Sequence, residues 1–144
     1  MKTKLASIFL VCLSILDFGC SKDENDPPQT YQVPGLWIGT YSVTQRPQQA
    51  PMYQSFTFKP DGKLVTDGKV PTGETYYSSG TWTLTGTTLT ATYTTINFPD
   101  YTVTQTATFT YSNTGILTNG TWTDVNNPYG TDYSGTFSTM ERVK

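Results

Sequence analysis

Cys20 is the residue whose chemistry stands out. Its thiol follows an apolar run and precedes Ser21-Lys22-Asp23-Glu24, so a nucleophile sits at the junction of an oily segment and a charged one. Other reactive side chains are sparse. The sequence contains no histidine, which removes the commonest general base and the commonest zinc ligand. The second cysteine, Cys12, lies inside the apolar run. Ser42, Ser55, Ser78, Ser79, Ser112, Ser134 and Ser138 fall in strand or turn contexts with no nucleophile elbow around them. Paired-carboxylate hydrolysis needs two acids facing each other across a sugar-sized cleft, whereas Asp61, Asp67, Glu74, Asp100, Asp124, Asp132 and Glu141 read as loop or strand-end residues. The loop from Asp124 to Asp132 spaces Asp and Asn oxygens as calcium would accept them, but Pro128 takes a ligand position and no bidentate Glu follows. It reads instead as a connection whose Asn and Asp make turn hydrogen bonds. No catalytic residue, metal site or cofactor is expected, and the chain is not expected to be an enzyme.

The elements around Cys20 are those of export. Lys2 and Lys4 form a positive start, and Leu5 to Leu16 form an apolar stretch of about twelve residues, as a secretory signal requires. A membrane-spanning helix needs about twenty such residues, so this run predicts a leader that is cleaved rather than a span. Residues 21–34 are polar and contain Pro27, Pro28 and Pro34, the composition of an extended, flexible tether. Fully stretched, those residues reach at most about 45 Å. The expected organisation is a signal peptide over 1–19, Cys20 and a tether over 20–34, and one folded domain over 35–144.

The segment ending at Cys20 resembles the lipobox of bacterial lipoproteins, with Gly19 as the small residue before the cut, although Asp17 and Phe18 depart from the usual aliphatic and small residues. The resemblance implies cleavage between Gly19 and Cys20 and acylation of the Cys20 thiol, hence a membrane partner. Ser21-Lys22-Asp23-Glu24 resembles the surface-export signal of lipoproteins in the Bacteroidetes, which implies an outer-membrane protein facing outward, the periplasmic face being the alternative. Several acyl chains anchor durably, each buried CH2 contributing about 0.8 kcal/mol. With Cys20 acylated and Cys12 lost, no intramolecular disulfide is available. Removing the leader takes Lys2, Lys4 and Asp17 from totals of 9 basic and 11 acidic residues, a mild negative excess without the basic patch that nucleic-acid binding requires.

Beyond the tether the sequence is β signal throughout. Threonine, tyrosine, valine, phenylalanine and tryptophan alternate with glycine-bearing turns, and no segment keeps a helical period. Pro60-Asp61-Gly62 separates two strand-like runs and predicts a tight hairpin whose Gly takes a positive φ. Thr85-Gly86-Thr87 and Asn113-Thr114-Gly115 predict two more. With Trp37 to Val43, a strand near Tyr101 to Tyr111, one through Trp122 and a last near Tyr133 to Met140, about eight strands follow one another as a meander. Trp82, Leu84, Leu89, Ala91, Tyr93, Val103, Ala107 and Phe109 share one face by parity and threonines take the other. An antiparallel up-and-down barrel covers that apolar face and removes the sheet edges; a two-sheet sandwich is the alternative.

One triplet recurs: Gly39-Thr40-Tyr41, Gly80-Thr81-Trp82, Gly120-Thr121-Trp122 and Gly135-Thr136-Phe137. Residues two apart share a face, so each glycine leaves room for an aromatic ring or lets the strand bend. Gly35-Leu36-Trp37-Ile38-Gly39-Thr40-Tyr41, Phe58-Lys59-Pro60-Asp61-Gly62 and Gly80-Thr81-Trp82-Thr83-Leu84 resemble segments of the lipocalin-like, or calycin, group of small bacterial lipoproteins, a likeness that runs from Gly35 to Tyr93. The resemblance implies a barrel whose interior holds a small hydrophobic or amphipathic ligand. Candidate wall residues are the inward rings Trp37, Tyr41, Phe58, Trp82, Tyr93, Phe109, Trp122 and Phe137, each of which can equally serve as plain core. The contrasting expectation is a filled barrel that binds glycan or protein on its exterior through Tyr76, Tyr77, Tyr101, Tyr129 and Tyr133.

Overall fold

The computed structural model describes residues 32–97, 102–128 and 130–144. The signal segment, Cys20, most of the tether, Asp100, Tyr101 and Tyr129 lie outside the described residues. Nine strands form one antiparallel sheet: β1 (Gly35–Val43), β2 (Met52–Phe58), β3 (Lys63–Lys69), β4 (Thr75–Thr85), β5 (Thr88–Thr95), β6 (Thr104–Tyr111), β7 (Ile116–Asn126), β8 (Ser134–Phe137) and β9 (Met140–Arg142). Each strand pairs with the next from β1 to β8. The sheet then closes, because β1 pairs on its other edge with β8 through Tyr41–Phe137 and with β9 through Trp37–Arg142. Since β7 also pairs with both β8 and β9, these two are halves of a single eighth stave. The result is an eight-stranded up-and-down barrel, and the unbroken ring of pairings excludes the two-sheet sandwich.

Tight turns and long connections segregate to opposite ends. One end carries the Lys59–Gly62 turn, with Gly62 at φ 80°, and the turns at Gly86 and Gly115. The other carries the connections 44–51 and 70–74, and there β5 ends and β6 begins, as β7 ends and β8 begins. The chain enters at the tight-turn end, where Gly35 pairs with Phe58. Packing begins at Val33, which is buried and whose carbonyl accepts the Trp37 indole N–H at 2.8 Å.

Parity places the core as the alternation predicts. Phe56 is its hub: it stacks on Phe58 and meets Tyr93, Phe109 and Phe137 edge-on, with ring centroids 5.5–5.6 Å away. Such pairs add about 0.5–1.5 kcal/mol each beyond the area they bury. On the outside, Thr83, Thr90, Thr108, Thr121 and Thr136 lie side by side across five strands. Their hydroxyls pair across strands, as in Thr108–Thr121 at 2.8 Å, and present a wettable wall. Three local differences from the sequence reading have simple causes. The strand expected from Tyr101 begins at Thr104, leaving Val103 buried just ahead of it. Leu84 has inward parity but is 39 % exposed, because β4 runs past the last core layer. Ile116 and Trp122 belong to one eleven-residue strand.

Candidate ligand-binding cup

The two halves of the barrel are filled unequally. Toward the tight turns the inward positions carry Trp37, Phe58, Leu64, Leu89, Leu117 and Met140, all essentially inaccessible. Toward the long connections they carry Gln54, Gly68, Ser78, Gln105, Asp124 and Gly135, which are smaller or polar. That half therefore stays hollow. A cup of about 160 Å³ opens there, with Phe137 at its floor, Val43, Met52, Val70 and Val103 as apolar wall, and Arg46, Gln49 and Tyr133 among the residues at its rim.

Glycines make this wall possible by letting one side chain cross a neighbouring strand. Trp122 on β7 pairs with Gly135 on β8, and its indole N–H reaches over that glycine to the Ser42 carbonyl of β1 at 3.2 Å. A Cβ at Gly135 would meet both the Ser42 carbonyl oxygen and the Trp122 indole. Tyr76 on β4 does the same over Gly68 on β3, its hydroxyl donating to Gln54 Oε1 of β2 at 2.5 Å. Gly120 leaves room for Phe109 and Phe137 in the layer beneath. Two of the four triplet glycines, Gly120 and Gly135, thus provide spaces for rings, whereas a Cβ at Gly80 would strike the backbone of β5 at Thr92 and one at Gly39 would meet the Met140 sulfur, Ser138 Oγ and the Thr139 carbonyl.

The polar groups of the cup are tied into networks. Gln54 Nε2 donates to Thr66 Oγ1 at 2.7 Å. The Tyr41 hydroxyl donates to the Lys69 carbonyl at 2.9 Å, and Tyr41 meets Tyr76 and Trp122 edge-on. Asp124, 6 % exposed, accepts from Gln105 Nε2 at 2.9 Å, Asn127 Nδ2 at 3.0 Å and the Tyr133 amide at 3.0 Å. In the loop considered for calcium, Asp124 and Asn127 make hydrogen bonds of the kind found in turns. Burial raises the pKa of Tyr41, Tyr76 and Tyr93, and for Tyr93 the nearby Asp124 carboxylate adds to the rise. Arg46 lies over the Tyr133 ring, 5.3 Å from its centroid.

Of the eight rings named as candidate walls, Tyr41, Tyr93, Trp122 and Phe137 line the cup. Trp37, Phe58 and Phe109 pack in the filled half, and Trp82 caps its base, edge-on to Phe58 with its indole N–H on the Lys59 carbonyl at 2.9 Å. Of the five tyrosines considered for an exterior platform, Tyr76 and Tyr133 turn into the cup, Tyr77 is 51 % exposed on the outer wall, and Tyr101 and Tyr129 lie outside the described residues. Sequence reasoning missed Gln54 and Gln105, and weighed Asp124 only as a loop or strand-end acid, whereas it is buried within β7. The available signal was a polar residue at an inward parity position, two residues from Phe56, Ala107 and Trp122 respectively.

No protein family profile matches the chain, and no curated protein matches it. Among solved structures it is similar to a redesigned β-barrel, with a TM-score of 0.53 at 16 % identity over 77 % of this chain and 91 % of that one. At that identity the likeness extends to the fold alone.

Proposed function

We propose that this chain is a surface lipoprotein, anchored through Cys20, that binds a small hydrophobic or amphipathic molecule reversibly in the cup and performs no chemistry on it. The observation that carries the reading is the hollow half of the barrel: an apolar floor, and a wall of apolar and aromatic side chains with a few polar groups among them, about 160 Å³ in volume. A cavity of about 150 Å³ suffices for a benzene-sized guest, so one ring or a short branched chain is the right scale, well below a typical drug-sized pocket. The position of the chain entry supports the anchored arrangement. Val33 and Gly35 are at the tight-turn end, so a tether leading back to Cys20 leaves the cup facing away from the bilayer. That end also carries Lys59, Lys63, Arg142 and Lys144 against Asp61 and Glu141, a sign suited to anionic lipid. An exterior aromatic platform has less support, because Tyr76 and Tyr133 face the cup.

The test is to purify the protein from host membranes, weigh it intact and again under non-denaturing conditions. A diacylglyceryl group on Cys20 and a guest released on unfolding are expected, with the guest lost in a Val103→Trp variant that fills the cup. A protein without acyl mass refutes the anchor. A Val103→Trp variant with the same guest content as the parent refutes the cup.

A further inference from the structure

We infer that the guest is an organic cation, a primary or substituted ammonium borne on a ring or short hydrocarbon, with Asp124 as its counter-charge. The inference rests on the cup being a binding site and specifies its chemistry. Asp124 is nine-tenths buried and lines the cup. Its three hydrogen-bond donors are all neutral: two side-chain amides and one backbone N–H. No lysine or arginine pairs with it among the described residues. A buried carboxylate held only by neutral donors keeps a negative field that its burial shields from full screening by water, so a cation is the complementary guest.

The walls add to that preference. Tyr41, Tyr93 and Trp122 border the same space, and the negative face of an aromatic ring attracts a cation. Arg46 is the opposing charge to weigh. It is exposed at the rim over the Tyr133 ring and its charge reaches the Tyr41 hydroxyl inside the cup, but water screens it more than it screens Asp124, which is buried in the wall. Seated on Tyr133, it also shows that a cation rests readily at this mouth. The capacity of about 160 Å³ fits one such group with one ring.

Three probes of near-equal shape separate the possibilities: benzylammonium, benzyl alcohol and benzoate, titrated into the full chain by calorimetry and by tryptophan fluorescence. Benzylammonium is expected to bind about tenfold tighter than benzyl alcohol, the increment of one charge-assisted hydrogen bond, and benzoate weakest. In Asp124→Asn the benzylammonium advantage should fall to within about threefold while benzyl alcohol binding persists, since Asn retains an oxygen acceptor for the Tyr133 amide. Benzyl alcohol or benzoate matching benzylammonium in the parent protein overturns the inference and leaves the cup standing as an apolar site. Failure of all three probes to bind overturns the cup and the inference together. The parent-protein series decides the matter even where Asp124→Asn does not fold.

Discussion

Gly135 shows how far one absent methyl group reaches. The residue pairs with Trp122 on one side and Val43 on the other, and the indole lies across it to reach the Ser42 carbonyl. Gly135→Ala would press a Cβ against that carbonyl and the ring, displacing Trp122 from its hydrogen bond and into the cup. Overpacking of this kind costs about 1–3 kcal/mol. The expected outcome is a lower urea midpoint together with altered tryptophan fluorescence in the folded state. Gly73→Ala is the instructive contrast: nothing lies within 4 Å of the point its new methyl would occupy, but φ is 90°, so the cost of about 1 kcal/mol is backbone strain alone and the fluorescence should not change. Equal effects of the two substitutions on fluorescence would show that the indole does not depend on the gap at Gly135.

At the scale of elements, the eighth stave is the least regular part of the barrel. Between β8 and β9, Ser138 and Thr139 shift the pairing with β1 by one residue, while the pairing with β7 keeps its register. A bulge of this kind breaks a ladder and bends the strand, which helps the sheet close. Ser138 repairs the break: its amide donates to the Thr40 carbonyl at 2.8 Å and its Oγ accepts the Thr40 amide at 2.9 Å. Ser138→Ala removes that acceptor at a cost of about 0.5–1.5 kcal/mol, and amide exchange at Thr40 should accelerate while Phe56 keeps its protection. Unchanged exchange at Thr40 would mean that the side chain contributes nothing to closure. Hairpins such as Pro60-Asp61-Gly62 were legible in the sequence because a turn is a local event. The bulge at Ser138 was not, because its register is set by β1, some hundred residues away in the chain. The cup was half legible for the same reason. Parity identified Tyr41, Tyr93, Trp122 and Phe137 as inward, but only closure shows that Gln54, Gln105 and Asp124 share their layer and that Arg46 and Val70 arrive from separate loops.

Across the whole molecule, stability rests on a ring-rich core, with no cysteine among the described residues, and three tyrosines of the cup link it to pH. Tyr41, Tyr76 and Tyr93 have folded pKa values raised above 10.0, chiefly by burial, so the folded state resists losing their protons more than the unfolded state does. Where the unfolded chain holds fewer protons than the folded one, stability falls as pH rises. The contribution of these hydroxyls is therefore complete below about pH 10, the unfolded tyrosine value, and is lost progressively above it. With no histidine in the chain, the side-chain titration usual near neutrality does not perturb the balance. The urea midpoint should accordingly hold steady through neutrality and decline beyond about pH 10. The assignment to these hydroxyls turns on variants. Tyr93→Phe and Tyr76→Phe each remove one buried ionisable hydroxyl and should flatten the alkaline decline whatever they do to stability at neutral pH. An alkaline slope as steep in both variants as in the parent would place its origin outside the cup.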